Sequence, residues 1–319
     1  MELIRNINIR NFKSLENVVI QGCRRYNIFV GRPNVGKSNI LEALSLFALP
    51  YIAGGKFNIT QLLRMDYNAS SLFYNGDITS VIEIIAGNQR CEVSLQDGGK
   101  LLFNLNNTPY PVIDLKVEAS LDKYPVFKPY YYGQHLSSES VTMPFLCPIG
   151  GDNLMQVIKQ YDSIRNDISK LLARYGLKLM LDTAAQQIRI TKELDADTSF
   201  IIPYTAMASS LKRLIFYKAA IGSNKDSVLI MEEPEAHSYP PYIVKVIQSM
   251  LESDTNQYFL TTHSPYVINE FLENKADVAI FLVDYINGKT IIKTLTDKQL
   301  QQIYEEGVDL FFNTEFFAE

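Results

Sequence analysis

The sequence predicts an α/β fold: a mostly parallel core sheet covered by helices, an N-terminal antiparallel β lobe and an inserted β/α subdomain. Three observations carry this. Strongly apolar runs, such as "SVLIM" at 227–231, lie between helical stretches, the pattern of strands buried on both faces. The first thirty residues instead alternate apolar and polar. Residues 55–134 are rich in Asn, Gly, Tyr and β-branched residues, with turn pairs such as Asn75-Gly76 and Asp97-Gly98-Gly99, which is the composition of an antiparallel region.

The elements follow in order. Leu3, Ile7 and Ile9, then Val18 and Ile20, then Ile28 to Val30, mark three short strands. Ile40, Leu41, Leu44, Phe47 and Ala48 share one helical face that Pro50 ends. Strands are expected at 70–75, 80–86, 90–95, 100–105 and 112–118. One helix is expected over 152–175, capped by Asp152 and stopped by Gly176. Strands at 178–183 and 186–191 come next, then a helix at 206–221 and the apolar strand at 227–231. Pro240 and Pro241 start a helix at 241–251. A strand at 257–261, a helix at 265–272 and strands at 277–284 and 289–294 complete the core. The segmentation read from this is 1–54 for an N-terminal lobe, 55–150 for the inserted β region, 151–200 for a helical arm with its hairpin, and 201–319 for a C-terminal lobe.

Bulk properties exclude several classes. The 319 residues are 47% hydrophobic and 20% charged, an ordinary globular balance. A formal net charge of −5 provides no global attraction to nucleic acid. Cys23, Cys91 and Cys147 are too dispersed for a metal site or a disulfide framework. The N-terminus is charged from the start, and no run of about 18 apolar residues occurs. The expectation is a cytoplasmic protein without a membrane partner.

The chemistry begins at "FVGRPNVGKSNILEAL". Gly31, Gly36, Lys37 and Ser38 stand in G-x-x-x-x-G-K-S spacing, between an apolar strand and an amphipathic helix. Glycines let the backbone curl so that successive N–H groups meet phosphate oxygens, and the helix N-terminus adds partial positive charge. The nucleotide-binding set is therefore Gly31, Arg32, Pro33, Asn34, Val35, Gly36, Lys37, Ser38 and Asn39. Lys37 would reach the β- and γ-phosphates, and Ser38 would ligate Mg²⁺. "SVLIMEEPEAH" ends a strand in Glu232, assigned to Mg²⁺, and Glu233, assigned as the base that activates water. "YFLTTHSPYVIN" ends the next strand in His263, placed to donate to the γ-phosphate or to orient the water. A solvated acidic turn and a structural histidine are the plainer alternatives for these last two.

Other nucleotide classes fit less well. Asn224-Lys225-Asp226 lacks the spacer of a guanine-reading motif. Hexameric engines keep their phosphate and acidic motifs close, whereas residues 39–231 separate them here.

This layout resembles the ABC-type P-loop ATPases of the RecF/SMC/OLD group. "IRNFKSLENVVI" looks like that group's opening strand pair, "VGRPNVGKSNILEAL" like its phosphate loop, and "LIMEEPEAHSYP" like its acidic motif with a D-loop at Glu235, Ala236 and His237. "TTHSPYVIN" is similar to its histidine switch, and "GVDLFFNTEFF" to the close of small stand-alone members. The resemblance implies ATP and Mg²⁺ as cofactors and a head-to-tail homodimer that sandwiches two nucleotides. Each nucleotide would touch a signature serine of the other chain, here Ser209 or Ser210, which would also cap the helix that starts in "MASSLKRLIFYKAAI". Lys212 or Arg213 would add charge there. The transporter-type signature glycines are absent. Gln134 is taken as the Q-loop contact to the metal.

What the resemblance implies for function is slow ATP hydrolysis that closes and opens the dimer. The dimer would regulate a separately encoded protein effector in prokaryotic, anti-phage-type defence. The alternative is a RecF-like DNA-binding repair ATPase. Arg5, Arg10, Lys13, Arg24 and Arg25 would give it a strip for phosphate backbones, unless they form a solvated strand face.

Overall fold

The alternation at the N-terminus becomes a hairpin. β1 (Asn6–Phe12) runs antiparallel to β2 (Leu15–Gln21), with Ile7 opposite Ile20 and Ile9 opposite Val18, all buried. β3 (Tyr26–Val30) is buried along its whole length, and α1 (Lys37–Ser45) follows the phosphate loop. Then comes a meander of β4 (Ile82–Ala86), β5 (Gln89–Gln96), β6 (Lys100–Leu105), β7 (Thr108–Ile113) and β8 (Lys116–Val117). β4 pairs with β1, so hairpin and meander form one seven-stranded sheet in the order β2-β1-β4-β5-β6-β7-β8. The computed structural model describes residues 1–52, 58–65, 68–97, 99–113, 116–117, 123–133, 143–313 and 316–317, with the side chain of 61 left aside.

Several expectations fail locally. Pro50 does not stop the first helix: α1 gives way after Ser45 to a 3-10 helix, Leu46–Ile52, that runs through Pro50. The strand at 70–75 is a pair of 3-10 turns, Ala69–Leu72 and Tyr74–Gly76. Asn68 accepts from the Ser70 N–H, and Asn75 adopts a left-handed φ of 50°, so asparagine turn chemistry overrides the short apolar run. The single helix over 152–175 is two, α2 (Leu154–Gln160) and α3 (Asp162–Ala173), because Tyr161 is extended and its hydroxyl donates to the Pro144 carbonyl at 2.5 Å. Asn153, not Asp152, stands at the cap, and its amide ties down the preceding loop by accepting from Cys147 N (2.6 Å) and donating to Phe145 O (2.8 Å). Between meander and α2 lies β9 (Phe127–Tyr130).

β10 (Lys178–Asp182), β11 (Gln187–Glu193) and β12 (Ser199–Pro203) form a small antiparallel sheet, β12 being an unforeseen strand. In the turn before β12, Asp195 accepts from the Asp197 N–H at 3.0 Å. The C-terminal part runs α4 (Ser209–Ser223), β13 (Val228–Glu232), α5 (Pro240–Leu251), β14 (Gln257–Thr261), α6 (Pro265–Glu273), β15 (Val278–Ile286), β16 (Lys289–Thr294) and α7 (Asp297–Glu306). α7 was also unforeseen. Thr296 and Gln299 form its capping box, and Gly307 ends it in a left-handed turn.

These strands build a six-stranded sheet ordered β16-β15-β3-β14-β13-β9, parallel except for β16. It separates two cores. On β3, Phe29 points into the core shared with α1 and the seven-stranded sheet, while Ile28 and Val30 point into the core under α4, α5 and α6. β13 divides likewise, Val228 and Ile230 to one side and Leu229 and Met231 to the other. Burial on both faces is what the continuous apolar runs signalled.

β9 carries a buried lysine. Lys128 is 5% exposed, and its ammonium donates to Asn224 Oδ1 (2.7 Å) and Ser227 Oγ (3.0 Å) and lies 3.4 Å from the centre of the Phe145 ring. With no carboxylate in this set, burial lowers its pKa to about 7. The unfolded chain then binds more protons than the folded one between pH 7 and the ordinary lysine value, so this group's stability contribution rises with pH in that window. Urea unfolding at pH 7 and pH 9 should show wild type gaining on Lys128→Met at the higher pH, by roughly 1–2 kcal/mol.

Candidate nucleotide site

The ladder of the parallel sheet sets three strand ends level. Phe29 on β3 pairs with Thr261 on β14, and Thr261 pairs with Glu232 on β13. The phosphate loop, the acidic pair and the histidine segment therefore leave the sheet side by side.

The loop is held by contacts only glycine permits. Gly31 has φ 153° and lies against β15, where an added Cβ would come 2.1 Å from the Val283 carbonyl oxygen. Gly36 has φ 101° and faces Thr290 Oγ1 and Ser14 Oγ. Thr290 donates to the Val35 carbonyl (2.8 Å), and Asn39 donates to Ser14 Oγ (2.7 Å). Asn39 and buried Val35 thus act through their contacts with Ser14 and Thr290, while Arg32, Pro33 and Asn34 are exposed at the rim. Gly36 is the N-cap of α1, and no side chain caps that helix, which leaves its first amides for an anion. The buried Lys37 ammonium curls onto its own loop, donating to Gly31 O (2.8 Å) and Arg32 O (2.7 Å).

The Ser38 hydroxyl donates to Glu232 Oε1. Hydroxyl and carboxylate together are the hard oxygen donors that Mg²⁺ takes from a protein when phosphates and water supply the rest. The donor set therefore fits Mg²⁺ with ATP. Glu233 follows in a left-handed backbone (φ 41°), its N–H held by Thr261 O (3.1 Å) and Thr261 Oγ1 (3.2 Å). A glutamate in that region is strained and persists only where the surroundings impose it. Its carboxylate meets His263 Nε2 at 3.5 Å. Partial burial and the Lys37 charge lower the His263 pKa against the pull of Glu233, which favours the neutral imidazole.

Two supporting carboxylates had no chemical role in the sequence reading. Glu235, the first D-loop residue, is buried under the histidine segment and accepts from Thr262 Oγ1 (2.6 Å) and the His263 N–H (2.9 Å). Its other oxygen is buried without a partner among the described residues, and burial raises its pKa. Glu42, on α1, is 3% exposed, pairs with Lys13, and receives Arg64 Nε at 3.0 Å. Arg64 also pairs with Glu232. In the sequence Arg64 is a lone cation between Leu63 and Met65, which points nowhere.

Other expected residues lie elsewhere. Ser209 and Ser210 start α4, but Ala208 is its N-cap and no side-chain cap bond forms, so the capping role given to a serine is incorrect. Lys212 donates to Thr205 O (2.8 Å), and Arg213 stacks on the Tyr132 ring at 4.7 Å, so neither cation stands free at the helix start. Gln134 lies outside the described residues. The five N-terminal cations are engaged within the chain: Arg5 with Cys23 O, Arg10 with Glu83, Lys13 with Glu42, Arg24 with Asp277 and Asp297, and Arg25 with the Asp254 and Asn256 carbonyls. Among the described residues, no helix is long and apolar enough to cross a membrane.

A family model described as AAA ATPase domain matches residues 1–108 and 152–268. The chain belongs to the AAA ATPase domain family. The match takes in β4, β5 and β6 of the meander. An ATP/GTP phosphatase of Helicobacter pylori (strain ATCC 700392 / 26695) is 33% identical over 89 residues, 26% of this chain and 24% of that protein. The chain thus spans about a quarter of that relative's length. An SMC head bound to the C-winged helix domain of ScpA superposes with a TM-score of 0.59 at 16% identity, over 95% of this chain and 100% of that one. An Smc head domain with an extended coiled coil, bound to the C-terminal domain of ScpA derived from Pyrococcus furiosus, gives 0.57 at 15% identity, over 96% and 99%. The fold is that of an SMC head, and the chain resembles the SMC/RecF-like ABC-type P-loop ATPases.

The packing of the loop makes a direct test. Gly31→Ala should cost about 3 kcal/mol or more in urea unfolding, because the clash is with a backbone oxygen that no change at Val283 removes.

Proposed function

We propose that the protein hydrolyses ATP with Mg²⁺ and uses the cycle to close and open a head-to-tail homodimer. The observation that carries this reading is the convergence of Lys37, Ser38, Glu232, Glu233 and His263 at level strand ends. Lys37 would leave the carbonyls of Gly31 and Arg32 for the β- and γ-phosphates. Ser38 and Glu232 would hold the metal, whose charge would stabilise the transferring phosphoryl group. Glu233 would take the proton of the attacking water, and neutral His263, 3.5 Å away, would orient it or donate to the γ-phosphate. Exposed Ser209 and half-buried Ser210 would meet the nucleotide of the other chain.

The reading extends to a protein effector that the dimer controls, in prokaryotic anti-phage-type defence. Its support is the ATPase core and the fact that the SMC heads of the same fold were solved bound to domains of a separate protein, ScpA. The engaged N-terminal cations weigh against a DNA strip along β1 and β2.

ATP turnover and solution mass of wild type, Lys37→Ala and Glu233→Gln should be compared. Lys37→Ala should lose nucleotide binding. Glu233→Gln should hold ATP, fall at least about a hundredfold in turnover, and run as a dimer. Normal hydrolysis by Glu233→Gln would remove it from the chemistry, and a monomeric, ATP-loaded Glu233→Gln would remove the sandwich.

A further inference from the structure

One arrangement near the acidic pair is not used by the mechanism above. Both oxygens of Glu232 are contacted by a single guanidinium nitrogen, Nη2 of Arg64, and Oε1 also receives the Ser38 hydroxyl. The same guanidinium turns its Nε to Glu42 Oε1 at 3.0 Å, and Glu42 holds the Arg64 N–H at 3.4 Å. Lys13, in the β1–β2 turn, pairs with Glu42 and donates to the Arg64 carbonyl at 2.8 Å. The charges thus form one chain, Lys13, Glu42, Arg64 and Glu232, ending on the carboxylate assigned to the metal.

Electrostatics sets the two cations against each other. A carboxylate whose oxygens already meet a guanidinium offers a divalent ion less of its charge, and two cations packed on one carboxylate repel. Glu42 does not face this choice, being 3% exposed and paired with Lys13. Arg64 has room to move. Its side chain is 60% exposed and lines a cavity of about 450 Å³ that Glu232, Tyr131, Tyr217 and Arg213 also border.

We propose that Arg64 is a placeholder cation that competes with the divalent metal for Glu232. Metal loading displaces its Nη2 from Glu232 toward the adjoining cavity, while Nε stays on Glu42. Loading is thereby coupled to the Glu42–Lys13 pair and the β1–β2 turn. The inference rests on the assignment of Ser38 and Glu232 to the metal.

The test titrates Mn²⁺ into the full chain without nucleotide, following the free-ion EPR signal, for wild type, Arg64→Met, Arg64→Lys and Ser38→Ala. Arg64→Met keeps the stem and removes the charge, and it should tighten Ser38-dependent Mn²⁺ binding about fivefold or more, the pair being partly exposed. Arg64→Lys, which lacks the planar fork needed to bridge two carboxylates, should show a smaller gain, and it carries the test if circular dichroism shows Arg64→Met unfolded. Ser38-dependent binding that neither variant tightens would overturn the placeholder and leave the proposed function standing. Mn²⁺ binding that Ser38→Ala leaves unchanged would overturn the metal assignment and this inference with it, and no binding by any variant would overturn the inference alone, since removal of the competing cation would then have opened no site.

Discussion

Everything in the site depends on a backbone register. β3 lies between β14 and β15 in a parallel ladder, and the pairing of Phe29 with Thr261 and of Thr261 with Glu232 fixes which residue of each strand is the last inside the sheet. A slip of one residue would turn every side chain on β3 to the opposite core, exchanging Phe29 with Ile28 and Val30. The two apolar cores therefore hold the chemistry in place although they contribute no atom to it. The close approach of Gly31 to Val283 continues the same lock beyond the end of the strand.

Around this frame the protein arranges carboxylates whose burial has to be compensated. Glu235 does so with Thr262 and the His263 amide, and in that way positions a histidine it does not touch through its ring. Glu42 does so with Lys13 and Arg64, and links α1 to the N-terminal turn. An unpaired buried carboxylate would be strongly unfavourable, so these partners fix loops that have little apolar surface of their own. The left-handed Glu233 sits among them, with its amide on Thr261.

Much of this was legible in the sequence, for identifiable reasons. Gly31, Gly36, Lys37 and Ser38 announce themselves because the loop tolerates few other residues. β13 and β14 announce themselves because strands buried on both faces are apolar along most of their length. The pair Glu232-Glu233 and His263 were found because each ends such a strand. The meander strands at 82–105 were read within a few residues from alternation and turn pairs. What was hidden depended on partners distant in the chain. Arg64 matters only because folding brings Glu42 and Glu232 together, and no local pattern encodes that. The break at Tyr161 comes from a hydroxyl reaching Pro144, invisible to helical periodicity. The 3-10 turns after Asn68 arise from side-chain capping that a short apolar run concealed. Ser209 and Ser210 were placed correctly at a helix start, yet the cap fell on Ala208.

The strand order has a consequence for how the chain comes into being. β3 leaves the ribosome early, but both of its neighbours, β14 and β15, are made more than two hundred residues later. Until residue 261 has emerged, the central strand has no backbone partner on either side, and its five residues, all buried in the folded protein, wait unpaired. The seven-stranded sheet has no such delay, because β1, β2 and the meander are complete by residue 117. Synthesis thus completes every strand of one sheet before either neighbour of the nucleotide loop's strand has been made. High sequence separation of this kind slows folding and prolongs exposure of apolar surface. Assistance during synthesis would matter most in the interval between the end of the meander and the arrival of β15.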